Sequence, residues 1–184
     1  MCSFTKFIGF LFLTTIWIIP NCDLAVVKFT YIRCKSLDPN LVRIQRCYTR
    51  PISRNVTETS LLVSLARATS NITVRLSFMK KSTDYSLYFG ERTYDACKFL
   101  ANRKLYRIAD YLFGIIEEYS NMNHSCPYQG DIIIDRFRIR NDKLTWVPMP
   151  EGEYAIYTFW KIDGKSSAEF NLFFISYHWH GIFS

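Results

Sequence analysis

Alternation restricts this chain more than any other feature. In the segment NITVRLSFMK, Ile72, Val74, Leu76 and Phe78 fall on one side and Thr73, Arg75 and Ser77 on the other. That is the period-two pattern of a strand with one face buried. DYSLYFG repeats it with Tyr85, Leu87 and Phe89, and GEYAIYTFWKIDG with Tyr154, Ile156, Thr158 and Trp160 before a turn at Asp163-Gly164. VKFTYIRC, SLLVSLARA, GDIIIDRFRI and AEFNLFFISYHW complete a set of about seven strands, β-branched and aromatic, bounded by Gly, Pro, Asn and Asp.

One segment leaves this period. Between Cys97 and Tyr119, Leu105, Ile108, Leu112, Ile115, Ile116 and Tyr119 recur at three- and four-residue steps, the stripe of an amphipathic helix. Asp95 is placed to cap it. Many strands with a single helix, and no strand–helix alternation, predict a mainly β, antiparallel sandwich carrying one helical insert. No internal repeat or second domain interrupts residues 23–184.

The N-terminus reads as a leader. Lys6 precedes the apolar run Phe7 to Ile19, which Pro20 ends. The run is shorter than the roughly 18 apolar residues of a membrane-spanning helix and carries the layout of a secretory signal peptide. The leader is assigned to residues 1–22, with its end extending to about residue 25. Removing it discards Cys2 and Cys22 and leaves Cys34, Cys47, Cys97 and Cys126. An even set in an oxidising compartment is read as paired. Of the three pairings, Cys34–Cys47 and Cys97–Cys126 are favoured because each closes one short excursion. Asn55, Asn71 and Asn123 each begin an Asn-x-Ser/Thr sequon, a glycan acceptor when it lies on an exposed turn. The product is expected to be secreted and extracellular, without a transmembrane segment once the leader is gone.

Charge and chemistry exclude several classes. The formal charge of +7 is dispersed, with no block of like charges to suit a nucleic acid. The densest reactive stretch is YSNMNHSCPY, Tyr119 to Tyr128. It follows the helix and precedes a strand, so it reads as a junction, with Asn121 leaving the helix in a left-handed conformation and Pro127 preventing its continuation. A paired Cys126 is no thiolate, which removes a zinc site with His124. His178 and His180 share one strand face but lack a third ligand. Glu117-Glu118 reads as a solvated helix face, while Asp131 and Asp135, or Glu151 and Glu153, form no acid–base pair without a cleft. No Gly-x-Ser-x-Gly elbow, phosphate loop or nucleophilic cysteine is visible. Neither an enzyme nor a metal or other cofactor is expected.

Three stretches also carry a resemblance. YDACKFL (Tyr94 to Leu100), YSNMNHSCPY and PEGEYAIY (Pro150 to Tyr157), together with RCKSLDPN (Arg33 to Asn40), resemble the signatures of the domain-of-unknown-function family 1091, secreted proteins expanded in insects. Its four cysteines map onto Cys34, Cys47, Cys97 and Cys126. The resemblance implies kinship to the MD-2-related lipid-recognition (ML) domain, an immunoglobulin-like sandwich whose sheets can part around a lipid. It also implies a chemosensory role for some members.

Aromatic residues make up 17% of the chain, and both faces of several strands are apolar. In AEFNLFFISYHW, Phe170, Leu172 and Phe174 point one way and Phe173, Ile175, Tyr177 and Trp179 the other. A sandwich strand buries one face, so the second is expected to meet the helix, a partner or a ligand. The function expected is therefore binding of a lipid or other apolar small molecule, lined by Leu76, Phe78, Phe89, Leu112, Ile116, Trp160, Phe170 and Phe174. The alternative is a secreted interaction module with a filled core, acting on a receptor or other extracellular protein. Terminal sequencing of secreted protein should find its first residue between Asp23 and Val26; material still beginning at Met1 would refute the leader.

Overall fold

The structure, a computed structural model, describes residues 24–144 and 149–179. The leader and His180 lie outside the described residues, and only the backbone of His178 is described. Eight strands form two antiparallel sheets. They are β1 (Leu24–Ser36), β2 (Val42–Pro51), β3 (Thr57–Thr69), β4 (Ile72–Lys81), β5 (Tyr85–Asp95), β6 (Tyr128–Phe137), β7 (Gly152–Ile162) and β8 (Lys165–Trp179). One sheet has the order β1-β8-β7-β4-β5 and the other β2-β3-β6. The expected sandwich is thus present, with one strand more than alternation predicted. β2 escapes that reading because its register shifts between Ile44 and Arg46. The inward set becomes Val42, Ile44 and Cys47, which is not a period of two.

Both disulfides join elements of the two halves. Cys34 of β1 bonds Cys47 of β2, linking the edge of the wide sheet to the edge of the narrow one. On the opposite side the chain crosses from β5 to β6, and Cys97 bonds Cys126 at the two ends of that crossing. Each closed loop of this size is worth about 3 kcal/mol in the chain-entropy account.

The crossing differs from the single helix expected. It contains α1 (Ala96–Ala101) and α2 (Arg107–Ile116), each followed by a one-turn 3-10 segment, Arg103–Leu105 and Glu117–Tyr119. Asp95 does cap α1, its carboxylate accepting the Lys98 N–H at 3.0 Å. Non-helical backbone at Asn102 and Tyr106 then resets the phase. Leu105 and Ile108 consequently face solvent, at 73% and 62% exposure, instead of joining the stripe. Asn121 also departs from expectation: Arg136 and Asp163 are the non-glycine residues with positive φ among those described, so Asn121 is not left-handed. It acts instead as a side-chain strand. Its amide donates to the Asp131 carbonyl at 2.8 Å, its oxygen accepts the Ile133 N–H at 2.8 Å, and neighbouring Ser120 bridges Ile134.

The second apolar face of β8 needs neither helix nor ligand at Phe173. That ring is 1% exposed because Tyr31 stacks on it at 4.0 Å and Tyr85 and Tyr157 meet it edge-on. The rings of neighbouring strands cover it.

On the outer face of the narrow sheet, Glu58 is fully buried beneath Arg50 and Arg138, at 2.6 and 2.9 Å. Burial opposes its charge, but hydrogen bonds from Arg138 and Arg50 outweigh that and hold its pKa below the usual glutamate value. A carboxylate with a depressed folded pKa stabilises the fold fully above its unfolded value, about 4.3. That contribution is lost as pH falls through the lower, folded value. As pH falls across that range, denaturation midpoints of Glu58→Gln should therefore fall less steeply than those of wild type; parallel pH profiles would contradict the assignment.

Candidate functional site

The buried side chains form two clusters rather than one. One gathers Val42, Leu61, Leu65, Ile72, Tyr128 and Ala168 near both disulfides. The other gathers Val27, Phe29, Phe137, Tyr154 and Phe174 with Met149 and Ile115. Between the sheets, drawing its wall from both clusters and from α1 and α2, lies a cavity of about 360 Å³. Val74, Leu76, Phe78, Ile156, Phe170 and Leu172 point to the interior yet remain only half-buried, because they face this space.

Seven residues singled out from the sequence lie on that wall: Leu76 and Phe78 of β4, Leu112 and Ile116 of α2, Trp160 of β7, and Phe170 and Phe174 of β8. Phe89 does not. It is 57% exposed on β5, an edge strand whose register with β4 shifts between Ser77 and Met79. Gly90 follows it at φ +89°, and together these carry Phe89 to the rim, where its ring meets Phe78 edge-on at 5.9 Å. Sequence reasoning omitted the facing wall, including Leu61, Val63 and Leu65 of β3 and Phe137 of β6, and also Phe29 of β1 beside β8. The alternation in SLLVSLARA carried the signal for β3. Nothing in the local sequence places β6 opposite the chosen strands or β1 beside β8.

No charged side chain lines the cavity among the described residues. Its polar groups are mostly engaged with the protein itself. Thr59 shares a hydrogen bond with Thr49 at 2.9 Å. Thr158 donates to the Phe170 carbonyl at 2.7 Å and accepts the Trp160 indole N–H at 2.9 Å. The Tyr111 hydroxyl donates to the Lys143 carbonyl. The Tyr128 hydroxyl reaches the His124 carbonyl at 2.9 Å, and burial pushes its pKa up. Such a wall is apolar with a few hydrogen-bonded polar groups, the composition general to pockets for apolar small molecules.

The cover over the cavity is held by one arginine. Arg103, between α1 and α2, donates to Asp110 at 2.7 Å and to both oxygens of Glu117 at 2.6 and 3.0 Å. Its guanidinium also lies 4.8 Å from the centre of the Phe113 ring. Glu117 is therefore an anchor and not a solvated face. The Arg103 hydrogen bonds, working against partial burial, hold its pKa below the usual range, and the same pairing raises that of Arg103.

The junction Tyr119–Tyr128 serves this cover. The Tyr119 ring packs on Phe137 at 5.3 Å, and the His124 ring on Tyr128 at 4.4 Å. The Cys126 sulfur is committed to Cys97. Among the described residues no three His, Cys, Asp or Glu side chains are grouped to hold a metal. Of the three sequon asparagines, Asn71 and Asn123 are exposed and Asn55 is half-buried, all between strands.

Residues 74–156 match the model of the DUF1091 family, described as a protein of unknown function. The match supports the resemblance to that family read from the motifs and spans β4, β5, both helices, β6 and the start of β7. No curated protein matches the chain. Replacing Arg103 by Met should loosen the cover without unfolding the sandwich. Amide exchange in α2 should quicken on the order of tenfold while β3 and β7 stay protected; equal loss in all three would show a global role.

Proposed function

We propose that this protein is a secreted, non-enzymatic binder of a lipid or other apolar small molecule, held between the two sheets. The observation that carries this reading is the apolar cavity of about 360 Å³, within the usual range of roughly 300–1,000 Å³ for ligand pockets. Protein interiors are otherwise close-packed. Left unfilled, a space of this volume deprives its lining side chains of the contacts that a packed core supplies. A guest that fills the space restores the lost contacts.

The two disulfides support an oxidising, extracellular setting, as does the absence of any described helix long and apolar enough to cross a membrane. Glycans on Asn71 and Asn123, with Asn55 as a third acceptor, belong to the same reading. So do kinship to lipid-recognition domains and a chemosensory role. The competing reading, an interaction module without a small ligand, draws on the exposed Leu105 and Ile108.

Native mass spectrometry of protein secreted from insect cells separates the two. Added mass of one apolar molecule, released on denaturation, is expected. Ile116→Trp, which fills the cavity from α2, should reduce that occupancy several-fold while costing less than the roughly 1–3 kcal/mol of overpacking in a filled core. Unliganded protein that takes up nothing from a broad lipid panel would leave the interaction module as the better account.

A further inference from the structure

The wall of the cavity gives an apolar chain a place but leaves a polar head group without a partner. Most of its polar groups, namely the threonine hydroxyls, the Tyr111 and Tyr128 hydroxyls and the Trp160 indole, already bond to protein atoms. Apart from the Tyr94 hydroxyl, the wall leaves a charged head group to find its partner outside the cavity. Strand β4 supplies the inner face through Ile72, Val74, Leu76 and Phe78, all on the wall. Its pairing with β7 runs without interruption from Ile72 to Lys80, so Lys80 falls on the same face, one alternation beyond Phe78.

The Lys80 side chain is not a solvated surface group. Its ammonium lies 5.3 Å from the centre of the Tyr88 ring and 5.4 Å from that of Tyr154. Tyr154 is fully buried and stacks on Phe174, and Phe78 meets Tyr154 at 5.9 Å and Tyr88 at 6.3 Å. The cation thus stands one ring beyond Phe78 and Phe174, which lie on the wall, whereas Lys80, Tyr88 and Tyr154 lie just outside it. Its lack of an acidic partner among the described residues separates it from Arg103. Arg103 also lies over a ring of the wall, Phe113, but Asp110 and Glu117 neutralise it. Lys80 has no carboxylate within ion-pairing distance among the described residues; the adjacent Glu153 pairs with Lys81, at 2.9 Å. A half-buried ammonium with no counter-ion among the described residues, beside the rings that adjoin an apolar cavity, is complementary to an anion brought in by the guest.

We infer that the ligand is a single-chain amphiphile with one anionic head group, and that Lys80 receives that head while the chain fills the cavity. Volume agrees with one chain. At about 30 Å³ for each water-sized group, 360 Å³ holds on the order of twelve such groups. A carboxylate and a phosphate share the required charge and acceptors.

The inference rests on the apolar-binding reading, and one set of titrations distinguishes their failures. Dodecanoate, dodecyl phosphate and methyl dodecanoate are titrated by calorimetry into the delipidated, full secreted protein. Wild type should bind one or both anions on the order of tenfold more tightly than the ester, and the order of the two anions identifies the head. Lys80→Gln should bring the anions down to the ester's affinity and leave the ester unchanged. Lys80→Arg, which keeps the charge, should retain the preference, and thermal melts of both variants should confirm that they fold. Equal binding of anion and ester by wild type, or an anion preference that survives in Lys80→Gln, overturns the head-group role while the cavity reading stands. No binding of any of the three overturns both.

Discussion

The five-stranded sheet is wider than the three-stranded sheet it faces, and this mismatch leaves the inner faces of β4 and β5 without strands to bury them. A sandwich of equal sheets fills its interior by interdigitation. Here the β5–β6 crossing covers part of the extra width, with α1 against β4 and β5 and α2 beyond it, while most of β5 stays exposed. Helices and sheets do not nest like two pleated faces. Two separate core clusters form, and the space between them stays open.

The two bridges make that loose interior tolerable. One ties β1 to β2 on the side where the sheets lie edge to edge, and the other ties the ends of the crossing on the side where they do not. With both sides fastened, the fold relies less on continuous packing through its centre. Polar anchors do the same at the surface: Arg103 clasps the start and end of α2, and Glu58 pins Arg50 and Arg138 over the narrow sheet. Lys80 stands apart from these groups, since its charge meets aromatic faces and no acid among the described residues.

Much of the wall was legible in the chain. Ile72, Val74, Leu76 and Phe78 alternate without interruption, as do Phe170, Leu172 and Phe174, and local pattern suffices wherever a ladder runs without a bulge. Phe89 was misplaced because a register shift and Gly90 alter the facing of an edge strand. Leu105 and Ile108 were misplaced because no proline or glycine marks the breaks at Asn102 and Tyr106. Glu117 looked solvated because its partner, Arg103, is fourteen residues away and meets it only after the chain turns.

Sequence by itself determined the class of fold, the favoured cysteine pairing, the capped start of the first helix and most of the apolar inner face. Each of these follows from spacing within one segment, or from the short loop between two residues. Tertiary structure alone decided that the sheets differ in width, that Phe173 is covered by tyrosines of its own sheet, and that a cavity remains between two clusters. These depend on which strands become neighbours and which side chains meet across the gap. Such long-range pairings are set by the combined packing of all eight strands, and no single segment encodes them.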